Sequence, residues 1–143
     1  MNTAIESFVS GFPEFIVMTL VAGGMLVLAS MIYILLTPWK ELALVRGGNG
    51  AAGLALAGAI LGLALPLAAC LAASAEIFDL IIWGVAALLM QLIAYRVVDM
   101  LLSGIPARIE NDEAGAAIVL IAAKLAAAML LSAGLWDPNL GRF

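Results

Sequence analysis

Lys124 stands near the middle of an apolar run, Ala114 to Leu135, that holds no other ionisable residue. In a helix it lies about eleven residues, or roughly 16 Å, from either end, and a lysine stem reaches only about 6 Å toward water. Insertion scales assign such a residue a cost of about 2.5–3.5 kcal/mol. The surrounding Leu, Ile and Val offset that cost but give the ammonium no partner. Three chemistries are open to it: a neutral amine, a charge facing a water-filled or anion-attracting cavity at an oligomer axis, or a charge paired with an acidic residue of another protein. An intramembrane charge is a functional candidate by default, and the cavity is the favoured reading. Gln91 falls at a similar depth in the preceding apolar run, where its amide oxygen can accept one hydrogen bond. Asp99 is placed too far along that run for direct pairing with Lys124 unless another subunit supplies it. Arg96 and Asp99, three residues apart, can instead meet on one helix face.

Pro66 cannot donate to the carbonyl of Gly62, so a kink and an under-satisfied carbonyl are expected at mid-membrane depth. That carbonyl either coordinates an ion or water in a pathway, or the proline only shapes the helix. Gly58 and Gly62 form a GxxxG pair, and Ala55 and Ala59 continue a row of small residues beside it. Small side chains let helix backbones approach closely where lipid supplies no hydrophobic drive. The row is either a seam between subunits or a seam inside one. Arg46, Asn49, Arg108, Glu110, Asp112 and Glu113 gather in polar connections on one side of the membrane. They form either a docking surface for a cytoplasmic protein or ordinary solvated loops. No general acid/base or nucleophile–base pair accompanies these carboxylates, so catalysis is not expected.

The elements that must position these residues follow from composition. Of 143 residues, 66% are hydrophobic and 11% charged, whereas a soluble domain is about half apolar and a quarter charged. Each membrane-spanning helix uses roughly 20 apolar residues. Four spans are expected, at about 15–36, 51–73, 80–102 and 114–135, forming one all-α integral membrane domain over residues 1–143. Ile5, Phe8, Val9 and Phe12 precede them at helical spacing. With Gly11 and Pro13 interrupting there, they suggest either a short amphipathic segment on the membrane surface or a frayed terminus. Thr37 and Pro38 are expected to cap and begin a short interfacial helix ending at Gly47-Gly48-Asn49-Gly50. Trp39, Trp83 and Trp136 fall at span ends, as an aromatic belt requires. The first apolar run is too long for a signal-peptide core and is read as a retained helix. With one cysteine and no histidine, zinc and haem sites lack their usual ligands and no cofactor is expected. A net charge of −4 is no nucleic-acid signature.

Lys40, Arg46, Arg96 and Arg108 fall in or beside the first and third connections, and Arg142 alone lies on the other side. The positive-inside rule then puts those connections in the cytoplasm and both termini outside. The chain also aligns with itself at a shift of 64 residues, Ala52–Leu56 over Ala116–Leu120. Two hairpins of the same orientation, about 15–73 and 80–135, make a parallel repeat rather than an inverted one.

The stretch TPWKELALVRGGNGAAGLALAGAILGLALPLA resembles the central signature of the YjfL-like family of bacterial inner-membrane proteins, a domain of unknown function built from two-helix units. FDLIIWGVAALLMQLIAYRVVDMLL resembles its third helix, with Trp83, Gln91 and Leu92 in the expected places, and IENDEAGAAIVLIAA the opening of its fourth. The resemblance covers about residues 30–130 and implies a non-enzymatic bacterial inner-membrane protein, with both termini then periplasmic. The end LLSAGLWDPNLGRF departs from the family's usual Asn-Ala-Ala-Cys-Met-like close. The sequence favours a self-associating structural or scaffolding subunit, a homo-oligomer in the bilayer with a cytoplasmic protein partner. The alternative is a small oligomeric channel or transporter with a polar path near Lys124, Gln91 and Pro66.

Overall fold

The computed structural model describes residues 2–37, 40–74 and 76–135. The order is α1 (Asn2–Leu36), α2 (Glu41–Arg46), α3 (Gly50–Ala73), α4 (Ile77–Leu101), α5 (Ile105–Glu110) and α6 (Ala114–Leu135). Among the described residues, the four long helices are each apolar and long enough to cross a bilayer. The backbone polar groups of such a segment must be satisfied within it, and a helix does this. The chain is an all-α integral membrane protein.

The two six-residue helices lie at one end of the bundle, and backbone conformation marks where they begin and stop. Gly48 (φ 88°) follows α2 and Gly104 (φ 89°) precedes α5, both in the left-handed region that glycine enters freely. Asp112 follows α5 at φ 60°, a conformation that Asp adopts more readily than most residues. Pro106 sits in the first turn of α5, where its missing N–H does least harm.

α3 is the central helix and touches every other one, most extensively α6. Near the α2/α5 end, Ala51, Ala52 and Ala55 of α3 close on Ala116, Ala117 and Leu120 of α6, with Ile109 of α5 as a lid. At the opposite end Met18 and Ala22 of α1 pack with Leu67, Cys70, Leu80 and Ala87. Between the two lies a cluster containing Ala29, Tyr33, Ala59, Leu63, Leu88 and Tyr95. α1 is the least buried of the four spans.

Span limits agree with the sequence to within a few residues except at α1. That helix continues unbroken from Asn2 through Pro13, and no separate amphipathic segment precedes it. Pro13 removes one hydrogen bond, the one Val9 O would accept. The rings of Phe8, Phe12 and Phe15 stack along the helix past that point, with centroids 4.8 and 6.5 Å apart. Nor does Thr37 cap α2. Its hydroxyl donates back to Tyr33 O at 2.7 Å, and α2 begins at Glu41. α5 occupies what the sequence presents as an open loop. Pro38, Trp39, Trp136 and Arg142 lie outside the described residues, so the belt and part of the charge argument do too. Trp83 is on α4, in its second turn.

Candidate functional site

Three residues of α4, Gln91, Tyr95 and Asp99, recur every fourth position and so share one face, which turns into the bundle. Opposite them α6 presents Lys124, α1 presents Tyr33 and α2 presents Glu41. Gln91, Glu41 and Lys124 are fully buried, and the Tyr33 and Tyr95 rings nearly so.

Lys124 Nζ lies 3.1 Å from Asp99 Oδ1 and donates to Tyr33 OH at 3.0 Å. Tyr33 OH donates in turn to Glu41 Oε1 at 2.9 Å. The ammonium also lies 4.7 Å from the ring centroids of both Tyr33 and Tyr95, within range of attraction to an aromatic face. The two rings meet edge to face, centroids 5.5 Å apart. Tyr95 OH donates to Ala59 O of α3 at 2.9 Å.

Direct pairing of Lys124 with Asp99 corrects the sequence expectation that they stand too far apart. Cα–Cβ bonds tilt toward a helix N-terminus. α4 and α6 run antiparallel, so Asp99 leans inward along α4 while Lys124 leans toward the α2/α5 end. Their side chains close a gap that counting residues along the axes leaves open. The same contact overturns two further expectations. Lys124 is buried within one chain rather than facing a cavity at an oligomer axis. Asp99 serves Lys124 rather than Arg96, which is left exposed. Gln91 does face α6, but its Nε2 lies 3.4 Å from the backbone carbonyl of Lys124, and its amide oxygen has no hydrogen-bond partner among the described residues.

The GxxxG row lies within the chain. A Cβ at Gly58 would stand 2.5 Å from Ile121 Cγ1 of α6, and one at Gly62 would collide with the Tyr95 phenol of α4. Positions four apart differ by about 40° around a helix, so the two glycines meet different neighbours. Gly62 is what lets the Tyr95 hydroxyl reach Ala59 O. Ala55 and Ala59 are also fully buried, so none of the four is available to a subunit interface. Pro66 is buried on the same helix.

The polar connections are divided. Asn49 caps α3, accepting from Ala52 N at 2.7 Å, and its Nδ2 donates to Ile109 O and Glu110 O at 2.9 and 3.1 Å. Asp112 Oδ1 accepts from Ala51 N at 2.8 Å. These two side chains tie the connections to each other, which gives Asn49 and Asp112 a structural role. Arg108 and Glu113 pair in the open at 2.6 Å. Arg46 and Glu110 remain exposed.

Residues 7–135 match the family model described as Domain of Unknown Function (DUF350). The chain belongs to this family. It is 31% identical over 103 residues to the UPF0719 inner membrane protein YjfL of Escherichia coli strain K12, covering 72% of this chain and 78% of that protein. The protein of the same name from E. coli O157:H7 matches to the same extent. No solved structure matches the chain.

Of the polar candidates read from this DUF350 chain, the fold brings Lys124 and Gln91 together and adds Tyr33, Glu41, Tyr95 and Asp99. The signal for the α4 members was present: Gln91, Tyr95 and Asp99 form a polar stripe at four-residue spacing in a helix whose other charged residues are Asp79 and Arg96. Glu41 and Tyr33 carried no such signal, because each reads as an interfacial residue near a span end.

Proposed function

We propose that this chain is a non-enzymatic structural subunit of a bacterial inner membrane, a self-associating helical bundle that holds its own shape. The observation that carries this reading is where the polar network stops. The ammonium, two carboxylates and two phenols turn on one another in the half of the bundle nearest α2 and α5. Beyond them the other half is packed by Met18, Ala22, Leu67, Cys70, Leu80 and Ala87. A conduction path is lined by polar groups or water over most of its length, and among the described residues the buried cluster in that half is apolar. The name of the E. coli relatives supports the location. Lys40, Arg46, Arg96 and Arg108 support a cytoplasmic α2/α5 end, open to a protein partner, with both termini periplasmic. A parallel repeat fits the succession of long helix, six-residue helix and long helix in each half.

A second reading, a small oligomeric channel or transporter with its path near Lys124, Gln91 and Pro66, draws on one observation. A pocket with room on the order of one water molecule opens beside Asp99 between α1 and α4. Purified protein in liposomes separates the two. A structural subunit gives no ion flux above empty liposomes and assembles into more than one copy per particle in nanodiscs. Parent flux above empty liposomes contradicts it and favours the channel. A reporter fused at position 143 should be active only with a periplasmic reporter.

A further inference from the structure

Arg96 is a cation whose natural partner has been taken. Asp99, three residues on, is held by Lys124 at 3.1 Å. Arg96 itself is exposed and makes no hydrogen bond or ion pair with any described residue. Its outward neighbours on α4 are apolar and open: Ile93, Val97 and Met100 are 58%, 43% and 71% exposed. This is a lipid-facing surface. Arg96 lies five residues before the end of α4, about 7.5 Å along the axis. A guanidinium on its long stem spans that distance to the interface. It also stands at the mouth of the cleft between α1 and α4, lined by Tyr33, Leu36, Thr37, Leu92, Tyr95 and Asp99, where the Asp99 carboxylate is already neutralised by Lys124.

We propose that the exposed Arg96 guanidinium at the mouth of this cleft binds the phosphate of an anionic phospholipid headgroup, which lies outside the cleft against the lipid-facing surface of α4. The planar guanidinium fork matches two phosphate oxygens, and phosphate is the anion a bilayer presents at that depth. Leu36 and Leu92 offer apolar surface to the first carbons of an acyl chain. Preference for a net anionic lipid comes from Lys40 and Arg46. Both are exposed at the same end of the bundle and have no ion pair with a described residue. An added choline or ethanolamine cation would be repelled there.

Native mass spectrometry of the purified full chain tests this, with phosphatidylglycerol, phosphatidylcholine of the same chains, and inorganic phosphate as probes. The parent should retain phosphatidylglycerol over phosphatidylcholine. Arg96→Gln should lose about fivefold of that retention, Arg96→Lys less, and Arg46→Gln less than about twofold. Arg96 touches no partner in the fold, so the Arg96→Gln thermal midpoint should match the parent's, and the binding comparison is then between folded proteins. Unchanged phosphatidylglycerol retention in Arg96→Gln overturns the proposal. Inorganic phosphate displacing the lipid makes free phosphate the ligand and also overturns it. A change of protomer number in Arg96→Gln with lipid retention intact assigns Arg96 to a second copy, which overturns it as well.

Discussion

A shift of 64 residues carries Glu41–Arg46 of α2 onto Ile105–Glu110 of α5, and left-handed Gly48 onto left-handed Asp112. The start of α3 at Gly50 falls on the start of α6 at Ala114. At that shift the short helices and the starts of α3 and α6 coincide, while the buried side chains diverge. At the register where α2 buries Glu41, α5 places Ile105, and α5 buries Ile109 instead. Lys124 of α6 has Ile60 as its counterpart in α3, and Asp99 of α4 has Leu35 in α1. The first half contributes an acid and a phenol, Glu41 and Tyr33. The second contributes the ammonium, Asp99 and Tyr95. Matching helix boundaries therefore do not give matching sites, because the network draws Glu41 and Tyr33 from one half and Lys124, Asp99 and Tyr95 from the other.

Matched substitutions at paired registers put this difference to the test. The largest effect is expected at Lys124. Replacing it with Met leaves buried carboxylates without their cation and should cost about 3–5 kcal/mol of unfolding free energy. Ile60→Met, at the same register, should cost less than about 1.5 kcal/mol. Equal losses, measured by unfolding in mild detergent, would mean that the halves do not differ in the way described.

Next come Gly62 and its counterpart Ala126. Gly62→Leu drives a side chain into the Tyr95 phenol and should cost about 1–3 kcal/mol through overpacking, with Tyr95 losing its bond to Ala59 O. Ala126 is exposed on α6, so Ala126→Leu should stay within about 0.5 kcal/mol of the parent. Because Gly62 packs inside the chain, Gly62→Leu should lower the thermal midpoint without first changing the number of copies per particle. Dissociation of an otherwise stable protomer would return the glycine row to a subunit interface.

The smallest contrast is between the residues that precede α3 and α6. Asn49 caps α3 and reaches two carbonyls of α5, so Asn49→Ala should cost about 1–2 kcal/mol. Glu113, at the matching place, makes an exposed pair with Arg108, and Glu113→Ala should cost less than about 0.5 kcal/mol. Thermal midpoints of the two variants in the same detergent rank them.

Much of this was legible in the sequence, for physical reasons that also explain the gaps. Runs of apolar residues long enough to cross a bilayer have one backbone solution, so α3, α4 and α6 could be placed within a few residues. Lys124 stood out because a charge is rare at that depth. Its partner did not, because residue spacing measures depth along straight axes and does not contain the opposed lean of side chains on antiparallel helices. The row of Ala55, Gly58, Ala59 and Gly62 announced close packing, but spacing does not reveal which helix comes close. Here α6 and α4 both do. Pro13 and Thr37 carried local signals that their surroundings overrode. Phe8, Phe12 and Phe15 stack along α1 past the proline, and the Thr37 hydroxyl is engaged by the last turn of α1.

The 3.1 Å contact between Lys124 and Asp99 should lock the bundle as a pair. A double-mutant cycle of Lys124→Met, Asp99→Leu and both together, with unfolding free energies measured in nanodiscs, tests it most directly. Each single change should be strongly destabilising, since it leaves a buried charge behind. The double variant should recover most of the loss, giving a coupling of at least about 1.5 kcal/mol. A double variant whose loss equals the sum of the single losses would mean that the two residues act independently.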